Sequence, residues 1–223
     1  MPPVRRIDCR TDTGRATGAR LAADAVQRGE VVVLPTDTVY GIGADAFDRQ
    51  AVAAVLAAKG RGRDVPPPVL VPSARTLDGI ATDLSDDARE LVSAFWPGPL
   101  TLVCLAQPAL DWDLGDTHGT VAVRMPLHRV ALALLELTGP MAVTSANRTG
   151  QPPATTVDEA VDQLGDTVSV YLDGGPTRSA TASTIVDVTG EVPRVLRAGP
   201  LDLDRLRAVV PDVQAADLDA PTP

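Results

Sequence analysis

The 223-residue sequence is poor in aromatic residues and cysteine, and each scarcity excludes some classes of protein. Aromatic residues make up 3%, so the core must be built from Ala, Val, Leu and Ile, and few rings are available to stack on nucleic-acid bases. The two cysteines, Cys9 and Cys104, lie far apart without metal-ligand spacing. Neither a disulfide framework nor a zinc site is therefore indicated, and a reducing cytoplasm is expected. Cys104, inside the run LTLVCLA, is predicted to be a buried apolar residue.

Long apolar runs and an excess of positive charge are also missing. No stretch approaches the ~18–20 apolar residues that a membrane span needs, and the opening MPPVRRIDCRTD lacks the apolar segment of a secretory signal. The chain has 20 Lys and Arg against 29 Asp and Glu, a net charge of −9. An acidic chain repels a phosphate backbone, so direct RNA binding is expected to be weak or absent. Any bound anion must be held by a local cluster of basic side chains.

The remaining composition, 44% apolar and 22% charged, is typical of a globular protein. Helical periodicity and apolar β-branched runs alternate, which predicts an α/β fold with a twisted mixed sheet flanked by helices. Predicted helices cover 15–28, 48–58, 85–95, 127–137, 156–164 and 202–210, and predicted strands cover 31–34, 69–71, 100–105, 120–124, 141–144, 168–172, 184–188 and 193–196. Asp48, Ser85 and Thr156 are the predicted N-caps of three helices.

The predicted domain covers residues 15–210, after an N-terminal extension at 1–14. The small, acidic and proline-containing segment 211–223 is predicted to be a frayed tail.

The first predicted strand runs into an unusual polar segment, VVVLPTDTVYGIGADA at 31–46. GIGADA matches G-x-G-x-x-A, but PTDTVY separates it from the strand and no acidic ribose partner follows, so a dinucleotide site is not indicated. We interpret Gly41 and Gly43 as part of a turn that permits close backbone approach.

The segment KGRGRDVPPP at 59–68 contains the only lysine of the chain. Lys59 offers a compact ammonium with three rotatable donors, and Arg61 offers a planar fork, which together suit a phosphate group. The alternative is that these cations merely complement the C-terminus of the preceding helix. The residues alone leave both interpretations open.

Polar residues recur at the ends of later strands, in TVAVRMP, MAVTSANRTGQPPATT, ASTIVDVTG and VLRAGP. Each has an ordinary alternative: Ser and Thr close turns, Asn147 could form an Asx-turn, and Arg124 could pair with a surface aspartate. Ligands of open α/β sheets gather in the crevice beside strand ends. The recurrence of hydroxyls, amides and cations at such ends therefore favours a binding site.

Seven segments together resemble the YrdC-like family of L-threonylcarbamoyl-AMP synthases in its short single-domain form. They are PTDTVYGIGADA, KGRGRD, FWPGPLTLV, TVAVRMP, TSANRTGQPPATT, STIVD and VLRAG, in family order over roughly residues 20–200. The resemblance implies a twisted mixed sheet with a large concave ligand-binding face. It also implies that L-threonine, bicarbonate or CO2, and ATP are converted to threonylcarbamoyl-AMP and pyrophosphate, for the tRNA modification t6A37. Downstream tRNA threonylcarbamoyl-transferase proteins would be its partners.

The same resemblance implies roles for ten residues. Thr36, Arg124, Ser145 and Ser183 would contact threonine or its carbamoyl derivative, while Lys59, Arg61, Thr120, Asn147, Thr155 and Arg197 would hold ATP. Lys59 and Arg61 are also the implied catalytic residues. Mg²⁺ would enter with ATP, ligated mainly by phosphates and water, so no carboxylate cage is expected.

The sequence departs from the family at Val65 and Leu70, where many relatives have Asn and His. Those polar contacts are therefore missing or supplied by other groups, with Arg63 or the backbone as candidates. Two rival functions remain: a carbamoyl-phosphate-dependent module like that of hydrogenase-maturation proteins, and an RNA-binding module.

Overall fold

The computed structural model describes residues 5–215, which form one mixed sheet with helices on its faces. The strands are β1 (Arg5–Asp8), β2 (Val32–Leu34), β3 (Gly41–Asp45), β4 (Val69–Leu70), β5 (Ala81–Thr82), β6 (Leu100–Ala106), β7 (Thr120–Arg124), β8 (Met141–Ser145), β9 (Val170–Asp173), β10 (Thr184–Asp187) and β11 (Arg194–Arg197). The helices are α1 (Asp12–Gln27), α2 (Arg49–Lys59), α3 (Leu77–Ile80), α4 (Asp86–Phe95), α5 (Arg129–Thr138), α6 (Val157–Leu164) and α7 (Leu203–Arg207).

The strand order confirms the predicted α/β class with a mixed sheet. It runs β1-β9-β2-β3-β8-β4-β7-β6-β10-β11, and the short β5 pairs with β6. Four pairs are parallel, namely β1 with β9, β2 with β9, β4 with β7, and β6 with β10. The others are antiparallel, which agrees with adjacent strands in the sequence forming hairpin-like neighbours such as β6 and β7.

The three predicted N-caps are confirmed. The Asp48 side chain accepts hydrogen bonds from two backbone N–H groups at the start of α2, and Ser85 does the same for one N–H of α4. Thr156 and Glu159 form a reciprocal capping box at the start of α6. These short polar signals fixed the helix starts because each satisfies N–H groups that have no partner inside the helix.

The predicted turn at Gly41 and Gly43 is wrong, because these residues belong to β3 inside the sheet. β3 pairs antiparallel with β2 on one side and with β8 on the other. A Cβ atom on Gly43 would lie 2.6 Å from Cγ2 of Val143 and 2.7 Å from the carbonyl oxygen of Ala142. Glycine is needed here because β8 crowds the β3 backbone.

Both ends of the described chain are attached to the sheet. β1, from the predicted N-terminal extension, pairs with β9, and Nη2 of Arg6 lies 2.6 Å from Oδ2 of Asp173. Within the predicted tail, the backbone of Gln214 exchanges hydrogen bonds with Pro193 and Val195. The remainder of that predicted tail, 216–223, lies outside the described residues, as do residues 1–4.

The first half of the sheet is covered on both faces, because successive residues of a strand point to opposite sides. Val32 and Leu34 of β2 pack in one cluster with residues of α1 and α5. Val33 of β2 and Tyr171 of β9 pack in another cluster with residues of α2 and α6. This half therefore has three layers.

The second half of the sheet has helices against one face only among the described residues. Leu100, Leu102 and Cys104 of β6 pack with residues of α3, α4 and α7. Thr101 and Val103, which alternate with them, face the opposite side and line an open cavity. This uncovered face is the concave surface that the resemblance implies.

Cys9 and Cys104 are both buried and unpaired, as predicted for Cys104. Within residues 5–215, no helix combines the length and apolar character required to cross a lipid bilayer.

Candidate functional site

The open face of the sheet contains a cavity of about 450 Å³. This volume falls in the range of roughly 300–1,000 Å³ that is typical of small-molecule sites. Seven of the ten predicted site residues line it: Thr36, Arg61, Thr120, Arg124, Ser145, Ser183 and Arg197. Lys59, Asn147 and Thr155 do not line it.

The residues of this cavity are gathered by strand ends and by alternation along the strands. Thr120 and Arg124, at the two ends of β7, share a face with Ala122, and all three line the cavity. Ser145 ends β8 and Arg197 ends β11. The prediction that separate strand ends form one crevice is therefore correct for these positions.

Arg124 is buried at the cavity and held by three protein acceptors. Its Nε donates to the carbonyl oxygen of Gly98 at 3.0 Å, Nη1 donates to Oγ1 of Thr38 at 3.0 Å, and Nη2 donates to Oδ1 of Asp37 at 2.5 Å. A guanidinium has five N–H donors, so these bonds fix the group and leave two donors for a ligand. Burial lowers the pKa of Arg124, and the charge of Asp37 opposes that shift. The alternative that Arg124 pairs with an aspartate is confirmed for Asp37, but the pair is nearly buried rather than at the surface.

Thr36 lies at the cavity in a tightly bonded turn after β2. Its hydroxyl donates to the carbonyl oxygen of Val39 at 2.6 Å and accepts from the backbone N–H of Thr38 at 3.2 Å. The two threonine hydroxyls lie 3.0 Å apart. Thr36 therefore shapes the turn that presents Thr38 and Asp37 to Arg124.

A second group of hydrogen bonds joins Arg197, Ser183 and Thr101. Nε and Nη2 of Arg197 donate to the carbonyl oxygen of Ser183 at 3.0 and 2.9 Å, and Nη2 also lies 3.1 Å from the Ser183 hydroxyl. The Thr101 and Ser183 hydroxyl oxygens are 2.7 Å apart. Sequence reasoning missed Thr101, although a hydroxyl between Leu100 and Leu102 was a signal that this position faces away from the core.

Three guanidinium groups concentrate positive charge in the cavity, in a chain that is acidic overall. Burial lowers the pKa of Arg197, and the neighbouring charges of Arg124 and Arg61 lower it further. Burial likewise lowers the pKa of Arg61, whose Nη1 donates to the Thr144 hydroxyl at 2.9 Å. Asp64 and Asp116 also line the cavity, so the three arginines leave an excess of positive charge that favours an anionic ligand.

Lys59 is buried and is not among the residues that line the cavity, and its ammonium donates to the last residue of β8 and to the loop that follows. Its Nζ donates to the carbonyl oxygens of Ser145 and Asn147 at 2.5 and 2.7 Å and to Oδ1 of Asn147 at 3.1 Å. Burial lowers the pKa of Lys59 to about 8, with a further contribution from Arg61. The structure thus brings Lys59 and Asn147 together, but beside the cavity.

Thr155 serves the N-terminus of α6 in this structure. Its backbone N–H and its hydroxyl donate to Oε2 of Glu159 at 2.6 and 2.9 Å. Both groups are therefore engaged with the helix cap, and Thr155 is not among the residues that line the cavity.

The positions of the sequence departure, Val65 and Leu70, both line the cavity, where they contribute apolar surface. Arg63 was a candidate replacement for the missing polar contacts, but it is not among the lining residues. Its Nη2 instead lies 2.7 Å from Oδ1 of Asp113. His118 does line the cavity, on a loop where its φ is +51°.

Comparison with known proteins gives consistent matches over most of the chain. The family model Sua5_yciO_yrdC, described as "Telomere recombination", matches residues 24–199. A Mycobacterium tuberculosis protein named "Putative threonylcarbamoyl-AMP synthase" is 56% identical over 212 residues, which are 95% of this chain and 97% of that protein. A Pyrococcus abyssi protein named "Threonylcarbamoyl-AMP synthase" is 38% identical over 196 residues, 87% of this chain but only 58% of the relative. A crystal structure of P. abyssi Sua5 complexed with L-threonine superposes with a TM-score of 0.90 at 33% identity, covering 99% of this chain and 66% of that one.

Proposed function

The chain belongs to the Sua5/YciO/YrdC family, and from this premise we propose that it is an L-threonylcarbamoyladenylate synthase. The enzyme converts L-threonine, bicarbonate or CO2, and ATP to threonylcarbamoyl-AMP and pyrophosphate. The observation that carries the proposal is the single cavity in which Arg61, Arg124 and Arg197 converge among hydroxyl groups. An amino-acid carboxylate and a triphosphate are both anions, and each needs its own cation in such a site.

Arg124 binds the threonine carboxylate. Its two remaining N–H donors can form a bidentate pair, and its three protein acceptors hold the guanidinium in place for that contact. Ser145, Ser183 and Thr36 line the same cavity and would contact the amino acid or its carbamate.

Arg61, Arg197 and Thr120 hold the nucleotide. Both arginines line the cavity, and their positive charges would bind the phosphates and stabilise the charge that develops on the leaving pyrophosphate. Mg²⁺ enters as a complex with ATP, where it neutralises phosphate charge. Within residues 5–215, no cluster of three or more His, Cys, Asp or Glu side chains could cage a metal ion. Ligation of Mg²⁺ mainly by phosphates and water stays a prediction.

The reaction needs no protein nucleophile. The threonine amine adds to CO2 and loses a proton, which gives a carbamate, and a carbamate oxygen then attacks the α-phosphorus of ATP. The new P–O bond forms as the bond to the β-phosphate oxygen breaks, and pyrophosphate leaves. Residues that fix the carboxylate and the phosphates accelerate this step by bringing the reacting atoms together.

The product supplies the t6A37 modification through downstream tRNA threonylcarbamoyl-transferase proteins. The net charge of −9 supports weak or absent direct RNA binding. The two free cysteines support the predicted reducing cytoplasm.

The test incubates the purified chain with ATP, Mg²⁺, bicarbonate and either L-threonine or one of the other amino acids. Mass spectrometry should detect an adenylate only with L-threonine, with pyrophosphate in equal amount. Formation of no adenylate, or of one only when carbamoyl phosphate replaces bicarbonate and threonine, would overturn the proposal in favour of the carbamoyl-transfer rival. Filter binding across salt concentrations tests the RNA-binding rival, which requires tight and steeply salt-dependent binding.

A further inference from the structure

The hydrogen-bonding capacity of Lys59 is fully used inside the protein. An ammonium has three N–H donors, and the structure supplies three oxygen acceptors for Nζ, on Ser145 and twice on Asn147. The side chain is buried, with 4% of the residue exposed. A phosphate oxygen could be bound only if one of these bonds were broken.

The side-chain amide of Asn147 also uses its hydrogen-bonding groups inside the protein. Its Nδ2 donates to the carbonyl oxygens of Arg148 and Gln151 at 3.0 and 2.7 Å, while its Oδ1 accepts from Lys59. The backbone carbonyl of Lys59 also accepts from the N–H of Thr149 at 2.8 Å. Lys59 and Asn147 therefore hold the loop 145–151 at several points along its length.

Arg61 differs from Lys59 in the hydrogen-bond donors that it has left for a ligand, although only Gly60 separates the two residues. α2 ends at Lys59, and Gly60 follows as its C-cap in the left-handed conformation with φ +63°. Arg61 then lies on the cavity wall, with one donor on the Thr144 hydroxyl. A guanidinium has five donors, so most of its capacity remains for a ligand.

We propose that Lys59 is a positioning residue that clamps the loop 145–151 to the end of α2, whereas Arg61 supplies the anion-binding charge of the same motif. The proposal deepens the proposed function, on which it rests, by dividing the KGR motif between two roles. The clamp fixes the backbone at Ser145 and two residues later at Asn147, and the side chain of Ser145 lines the cavity. Loss of the clamp moves this serine and loosens the loop without removing a ligand of the phosphates.

The experiment compares Lys59→Met with Arg61→Met, each of which removes one positive charge and keeps a long side chain. Two quantities are measured for each: the dissociation constant of Mg²⁺-ATP as a function of salt concentration, and the rate of tryptic cleavage after Arg148 in the clamped loop. The salt slope reports how many protein charges contact the phosphates, and cleavage reports local opening of the loop.

Lys59→Met is expected to keep the salt slope of the unmodified chain and to be cleaved after Arg148 at least about 10-fold faster, because three buried acceptors lose their donor. Its kcat for adenylate formation should fall by a similar factor at saturating substrates, at a temperature where the variant is folded. Arg61→Met is expected to give a shallower salt slope with unchanged cleavage after Arg148. A variant that was merely less stable would not lose kcat at temperatures below its melting temperature.

A shallower salt slope in Lys59→Met, with cleavage as slow as in the unmodified chain, would overturn the proposal and make Lys59 a direct phosphate ligand. Should Lys59→Met fail to fold, Asn147→Ala removes one acceptor of the clamp and keeps the ammonium. The proposal then requires faster cleavage after Arg148 in Asn147→Ala, and an unchanged rate overturns it. If the unmodified chain makes no adenylate, the proposed function fails, while the cleavage rates still test the clamp.

Discussion

Asp37→Ala removes the carboxylate that faces the most deeply buried guanidinium of the cavity. Asp37 and Arg124 lie 2.5 Å apart, and their side chains are only 13% and 7% exposed. The same carboxylate oxygen accepts from the backbone N–H of Leu127 at 2.9 Å. The substitution therefore leaves a buried charge unpaired and a backbone donor without its acceptor.

The expected loss of unfolding free energy is about 3 kcal/mol. Removing one partner of a buried ion pair costs roughly 3–5 kcal/mol, and the lower end applies because Arg124 keeps its bonds to Gly98 and Thr38. For a chain of about 150–250 residues, 1 kcal/mol corresponds to roughly 2–4 °C in Tm. Asp37→Ala should accordingly lower Tm by about 6–12 °C.

Thermal unfolding followed by circular dichroism measures this shift, with Asp78→Ala as the matched control. Asp78 also pairs with an arginine, Arg89, at 2.9 Å, but the two side chains are 53% and 57% exposed. An exposed pair contributes roughly 0–1 kcal/mol, so the control should change Tm by less than about 4 °C. Equal shifts in the two variants would refute the assignment of Asp37 as the buried counter-ion that holds Arg124.

Three further outcomes are expected. Arg124→Ala should raise the KM for L-threonine by at least ~10-fold, or about 1.4 kcal/mol, and steady-state kinetics with an unchanged KM would remove Arg124 from carboxylate binding. Burial raises the pKa of Cys9 to about 11 and that of Cys104 to about 12. Thiol labelling at pH 8 should therefore be at least ~100-fold slower in the folded chain than in urea, and equal labelling rates would contradict the burial of the two thiols. Thr156→Ala should lower the unfolding free energy by about 1 kcal/mol in urea titrations, because α6 loses its cap, and an unchanged midpoint would count against that cap.

The six predicted helices agree with the observed ones to within a few residues because their signals are local, whereas the four-residue α3 was not predicted. Asp48 and Thr156 each stand one residue before the helix that they cap, and the apolar spacing that follows belongs to the same dozen residues. The cavity-facing positions of Arg124 and Arg197 were predictable for a similar reason. Each ends a short apolar run, and strand ends in α/β sheets meet at a shared crevice.

β3 could not be predicted in the same way, because the reason for its glycines lies about a hundred residues further along the chain. Gly41 and Gly43 have the composition of a turn, and nothing near them indicates a strand. The side chain of Val143 on β8 occupies the space where their Cβ atoms would be, 2.6 Å away in both cases. Such a constraint becomes visible only when the pairing of β3 with β8 is known.

The different roles that we propose for Lys59 and Arg61 also depend on residues far away in the sequence. The sequence shows that the motif carries positive charges that suit a phosphate. Which way each side chain points depends on the left-handed turn at Gly60 and on the position of β8. The ammonium of Lys59 donates to three carbonyl oxygens and has no N–H group left for a ligand. The guanidinium of Arg61 donates to a single hydroxyl and keeps the rest of its donors for a ligand. Because the acceptors of Lys59 belong to Ser145 and Asn147, the chemistry of this lysine is decided by a segment more than eighty residues away.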